Sequence, residues 1–141
     1  MKEYKKRIAD VLLKNKLEGM GAVLIEGPKW CGKTTTAEQQ AKSKVYMDDA
    51  SEGTNWVQLA NVNPKGVLVG EVPRLIDEWQ IAPQLWDAIR YQVDHRGEDG
   101  QFILTGSSVP VEDEKMRHTG TGRFSWLTMR PMSLWESGDS N

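Results

Sequence analysis

The chain has 141 residues, 38% of them hydrophobic and 27% charged, the balance of one soluble globular domain able to bury an ordinary core without staples. Its 18 Lys and Arg against 20 Asp and Glu leave a net charge of −2, which removes the simplest electrostatic case for nucleic-acid or membrane-surface binding by the whole domain, although a local basic patch survives it. One cysteine forms no intramolecular disulfide, and with only 2 histidines a structural zinc site is disfavoured.

The opening MKEYKKRIAD is basic but has no apolar segment behind it, so it does not read as a signal peptide. The longest apolar run, Ala22 to Ile25, is far too short to span a membrane, and a cytoplasmic location is expected. Tyr4, Ile8, Val11, Leu12 and Leu17 fall near helical spacing with lysines opposite. This predicts an amphipathic helix over about residues 3–18, its apolar side on the domain and its basic side in solvent.

Gly21 to Glu26 reads as a short buried strand closed by Gly27-Pro28, and Thr34 to Lys42 has helical composition. Lys44 to Met47 is a second strand candidate, ending in Asp48-Asp49. Thr54 to Ala60 is a helix candidate, Asn63-Pro64-Lys65-Gly66 a turn, and Arg74 to Asp77 a third strand. Leu85, Ile89 and Val93, with Trp86 and Tyr91, predict a helix to about His95. Gln101 to Thr105 and Phe124 to Met129 complete the strands, with an irregular segment between them. Such alternation implies a parallel sheet covered on both faces. Trp56, Trp79, Trp86, Trp126 and Trp135 read as core or interface material rather than as stacking platforms for bases.

Gly27-Pro28-Lys29-Trp30-Cys31-Gly32-Lys33-Thr34 satisfies G-x-x-x-x-G-K-[ST] between a strand and a helix. Glycines at 27 and 32 let the chain turn sharply with its N–H groups inward, and the helix N-terminus adds a positive dipole end, so the loop is a phosphate cradle. Lys33 then reaches the β- and γ-phosphates, the Thr34 hydroxyl ligates Mg²⁺, and Thr35 follows in the same first turn. Trp30 packs or touches ligand. Cys31, at a helix N-terminus beside a lysine, has the surroundings of a reactive thiol, although its position in the loop is chemically free.

Leu75-Ile76-Asp77-Glu78 delivers adjacent carboxylates at the end of an apolar strand. In a phosphoryl-transfer site Asp77 holds Mg²⁺ and Glu78 activates water. A strand at 44 to 47, inserted between the two motif strands, favours the branch of nucleotide-binding folds with a catalytic Glu. Thr105 and Ser107 either sense the γ-phosphate or simply end their strand. Arg123, flanked by Gly120 and Gly122, suits equally an arginine finger and a structural role; those glycines form no dinucleotide fingerprint.

The strings GPKWCGKTTTAEQ, PRLIDEWQIAPQLWDAIR, FILTGSS, HTGTGRF and MRPMSLWESG together resemble the AAA-type ATP-binding proteins known as predicted ATPases, from about residue 4 to residue 141. The resemblance implies a three-layer α/β P-loop fold with a mostly parallel five-stranded sheet in the order 5-1-4-3-2. It makes Gly27 to Thr34 the Walker A loop, Asp77-Glu78 the Walker B pair and Thr105 to Ser107 the first sensor region, and it places Arg123 in the family's Gly-Arg motif. In that family a C-terminal domain of unknown function follows, so residues 1–141 are expected to form a single ATP-binding domain without its helical lid or effector domain.

The expected function is binding of ATP·Mg²⁺ and hydrolysis to ADP and phosphate, coupled to a partner or C-terminal domain and, with a finger in trans, to an oligomer. A nucleotide-controlled switch with little turnover and, further off, a P-loop kinase are the alternatives.

Overall fold

A computed structural model of the chain describes residues 8–27, 32–48, 55–106 and 124–129. In chain order they form α1 (Ile8–Leu17), β1 (Ala22–Glu26), α2 (Lys33–Gln40), β2 (Ser43–Tyr46), α3 (Trp56–Val62), α4 (Pro64–Val67), β3 (Arg74–Asp77), a 3-10 turn (Trp79–Ile81), α5 (Leu85–Arg96), β4 (Phe102–Gly106) and β5 (Phe124–Thr128). The strands make one five-stranded sheet in the order β2-β3-β4-β1-β5, the expected order seen from the other edge. Every pairing is parallel, with Ala22 opposite both Phe102 and Phe124, and Arg74 opposite both Ser43 and Phe102.

A parallel sheet buried on both faces needs strands that are apolar on both faces, and β1, β3 and β4 are buried at every position. Strict alternation then divides their side chains between two cores. Ala22, Leu24, Ile76, Phe102 and Leu104 pack with α4, α5 and the 3-10 turn. Val23, Ile25, Leu75 and Ile103 pack with α1 and α2 through Leu13, Leu17 and Ala37.

Trp86 lies within the first core, with ring centroids 5.4 Å from Trp79, 4.7 Å from Phe124 and 6.0 Å from Trp126. Trp56 packs at its margin, so these tryptophans are core, as expected; Trp30 and Trp135 lie outside the described residues.

Two local expectations are corrected. Leu17 is buried as expected, but Val11 and Leu12 are each 43% exposed, and Leu13, with Asp10, is buried in their place. Residues four apart share a helix face, whereas Leu12 is turned about 100° from Leu13, so only one of the adjacent leucines can face the sheet. Lys16, from the nominally solvent side, donates to Ser125 Oγ at 3.0 Å. The expected turn at 63–66 is a helical turn, α4, with Pro64 at its first position, where the fixed φ of proline suits a helix start.

Leu13→Ala should therefore destabilise the domain by about 2–5 kcal/mol, lowering the thermal midpoint by several degrees. Leu12→Ala, on the exposed side, should shift the midpoint by no more than about a degree. Equal losses in parallel thermal melts would contradict the assigned face.

Candidate functional site

In a parallel sheet the carboxyl ends of all strands share one edge, and β4 lies between β1 and β3 there. Leu75 and Ile103 face α1 and α2. The same alternation, carried one pleat further, puts Asp77 and Thr105 on the side of α2, whose first turn bears Thr34. The three side chains meet. Asp77 Oδ1 accepts hydrogen bonds from Thr34 Oγ1 at 2.7 Å and from Thr105 Oγ1 at 2.7 Å. The Thr105 hydroxyl in turn accepts from the Glu78 backbone N–H at 3.0 Å, so one fully buried threonine joins both acidic residues.

Burial pushes the Asp77 carboxyl above the ordinary carboxylate range. The hydroxyls of Thr105 and Thr34 pull it back, while the charges of Glu78 and Asp48 push it further up. A desolvated, negatively surrounded carboxylate beside a hydroxyl is suited to a hard cation. Mg²⁺ takes one or two protein oxygens and fills its shell with water and phosphate, so Asp77 and Thr34 fit it without a larger acidic cage. Among the described residues no cluster of three or more His, Cys, Asp or Glu forms such a cage.

On the other side of this group, Gly32 precedes α2 with φ 92° and ψ 16°, a left-handed conformation that accounts for its glycine. Gly27 also has a positive φ, 159°, so the glycine expected at each of these positions meets a backbone that favours it. Lys33 is buried, and its Nζ donates to the Gly27 carbonyl at 2.9 Å, which closes the loop across its base. Thr35 is exposed on the same helical turn.

Glu78 has φ 56° and ψ 49°, the one non-glycine residue with positive φ among the described residues. Such a residue turns the chain out of β3 at once, which lets consecutive acids serve one site although strand neighbours point to opposite faces. Its carboxylate Oε1 accepts from Gln80 Nε2 at 2.8 Å.

Lys33, Thr34, Asp77, Glu78 and Thr105 are thus gathered at one edge. Pro28, Lys29, Trp30, Cys31, Ser107 and Arg123 lie outside the described residues. Gln80 was not expected in the site. The only trace of it in the sequence is a polar amide two positions after Glu78, within reach because a 3-10 turn folds it back.

A family model described as an AAA domain matches residues 20–137. The chain belongs to the AAA domain family. It is accordingly a domain of the nucleotide-binding, ATPase type. No curated protein matches the sequence. Among solved structures, this AAA domain is similar to one described as the structure of C. elegans PCH-2, at 16% identity and a TM-score of 0.47. The match covers 92% of this chain and 41% of that one, so the chain spans less than half of its length. No helix among the described residues is long and apolar enough to cross a membrane.

Thr105→Val keeps the volume at this buried position but removes a donor to Asp77 and an acceptor for the Glu78 N–H. The orphaned groups should cost about 1–3 kcal/mol in denaturant unfolding. Thr105→Ser, which retains the hydroxyl, should recover most of that loss, and a serine variant as unstable as the valine one would assign the effect to packing.

Proposed function

We propose that this AAA domain binds ATP with Mg²⁺ at the carboxyl edge of its sheet and hydrolyses it to ADP and phosphate. The observation that carries the reading is the bond between Thr34 at the start of α2 and Asp77 at the end of β3, with Glu78 next in the chain. That pairing sets a hydroxyl, a carboxylate and a second carboxylate beside a glycine-flanked loop and a buried lysine, the set that phosphoryl transfer to water requires.

In this reading Gly27 to Thr34 is the Walker A loop. Its backbone N–H groups and the N-terminus of α2 hold the phosphates, and the Lys33 ammonium exchanges the Gly27 carbonyl for phosphate oxygens. Thr34 and Asp77, the latter from the Walker B pair, hold Mg²⁺, which when bound offsets charge on the phosphate oxygens. Glu78 orients a water and takes its proton as the water oxygen bonds to the γ-phosphorus; the bond to the bridging oxygen breaks and ADP leaves with that electron pair.

Thr105 holds the acidic residues in register, and Ser107 lies one residue beyond its strand, where it is proposed to sense the γ-phosphate. Arg123 is proposed as a finger, in cis or from a neighbouring copy. Residues 1–141 are proposed to work as one ATP-binding domain on an effector domain or partner.

Thermal melts with and without ATP·Mg²⁺ test the binding step. At a nucleotide concentration about a hundredfold above Kd the folded state gains about 2.7 kcal/mol, a shift of several degrees. Lys33→Ala should abolish the shift, and an undiminished shift in that variant would sink the assignment of the loop.

Glu78→Gln tests the chemical step. It should keep the ATP-induced shift while turnover falls about a hundredfold or more, and it should retain unhydrolysed ATP. Turnover equal to that of the parent would remove Glu78 from the mechanism.

A further inference from the structure

Gln80 is the residue of this edge whose arrangement is explained by neither the fold nor the roles assigned above. Its Nε2 donates to Glu78 Oε1 at 2.8 Å, while its own Oε1 is buried and has no hydrogen-bond partner among the described residues. Buried, unpaired carbonyl oxygens are rare in folded proteins because each forfeits its bonds to water. Turning the carboxamide over would not relieve this one, since it would set a carbonyl oxygen against the Glu78 carboxylate and lose the hydrogen bond from Nε2. The orientation is therefore chosen by Glu78, at the expense of the carbonyl.

The seat of the carboxamide is built from β4. A Cβ placed on Gly106 would lie 3.1 Å from Gln80 Oε1 and 3.3 Å from Trp79 Nε1, tighter than most Cβ contacts, so the carboxamide and the indole would have to give way by a few tenths of an ångström. Gly106 has no left-handed backbone, so its glycine reflects this close approach rather than a turn. It follows Thr105, whose hydroxyl holds the Glu78 N–H. Consecutive residues of β4 thus fix Glu78 in two ways: Thr105 directly at the backbone, and Gly106 at the carboxylate by leaving room for Gln80.

We infer that Gln80 is a positioning residue for hydrolysis: its carboxamide, seated against Gly106, holds the Glu78 carboxylate in the orientation from which it takes a proton from the attacking water. This rests on the hydrolytic role proposed for Glu78. Gln80 touches no reacting atom. Its effect passes through Glu78, so it belongs to kcat and not to nucleotide affinity.

Steady-state ATP hydrolysis by the parent chain and by Lys33→Ala, Gln80→Ala, Gln80→Glu, Gly106→Ala and the Gln80→Ala/Gly106→Ala pair is the test, alongside the ATP·Mg²⁺ thermal shift of each. Gln80→Ala should lower kcat about tenfold or more, the loss expected for one hydrogen bond to a charged group. KM for ATP and the nucleotide-induced shift should stay within about twofold and about a degree of the parent. Gln80→Glu keeps the volume but loses the donor, so it should fall as far as Gln80→Ala even if the alanine variant folds poorly. Gly106→Ala should lower kcat in the parent and add little in the Gln80→Ala background, because both act on one contact.

Lys33-dependent turnover that survives Gln80→Glu at the parental kcat, or a loss confined to KM, would overturn the positioning role while leaving the ATPase reading in place. Additive losses in the pair would overturn the shared seat. Absence of Lys33-dependent turnover in the parent would overturn the ATPase reading and the role of Gln80 with it.

Discussion

The Asp77 carboxylate is the constraint around which the rest of the structure is arranged. It ends a strand whose every residue is buried, in surroundings that oppose its charge. An isolated charge there would be expensive to bury, and the fold answers it with hydroxyls brought from separate elements, Thr34 on α2 and Thr105 on β4. These bonds do more than stabilise one group. They tie the first turn of α2 to the central strands, so the position of that helix start relative to the acidic pair is set by the sheet.

The register of the sheet makes this convergence possible. Because β4 is hydrogen-bonded to β1 on one side and β3 on the other, Thr105 ends level with both the start of the loop and the acidic pair. Alternation along the strands then decides which side chains share a face. Arg74 opens β3 at the opposite end, with Nε donating to the Val67 carbonyl at 2.8 Å and Nη1 to Ser43 Oγ at 3.0 Å. The strand is therefore anchored by polar bonds at both ends and by apolar packing between them.

Much of this was legible in the sequence because it depends on local pattern. Apolar runs ending in glycine or acid marked β1, β3 and β4, and the spacing of the loop glycines and lysine marked the turn from β1 into α2. The strand order came from family resemblance, not from periodicity. The face of α1 was not legible: Val11, Leu12 and Leu13 are consecutive apolar residues, and periodicity alone does not choose among them. The sheet chooses Leu13. Asn63-Pro64-Lys65-Gly66 contains residues that start a helix as readily as they form a turn, and its outcome was set by packing around buried Val67. Gln80 was hidden for a geometric reason. Its meeting with Glu78 requires the left-handed backbone at Glu78 and the 3-10 turn after it, and neither leaves a mark in residue spacing.

That left-handed backbone links the two faces of the domain. A non-glycine residue in this region is disfavoured by about 1–2 kcal/mol and persists only where its surroundings over-determine it. For Glu78 the restraint comes from both sides. Its N–H is held by Thr105, whose hydroxyl belongs to the α2 side of the sheet. The residue after it, Trp79, is buried against Trp86 in the aromatic core on the opposite face. The orientation of Glu78 is thus maintained by a polar bond on one side and by aromatic packing on the other, with β4 between them. The tryptophans therefore do more than fill space: by pinning Trp79 they hold the turn that presents Glu78 and Gln80 to the site.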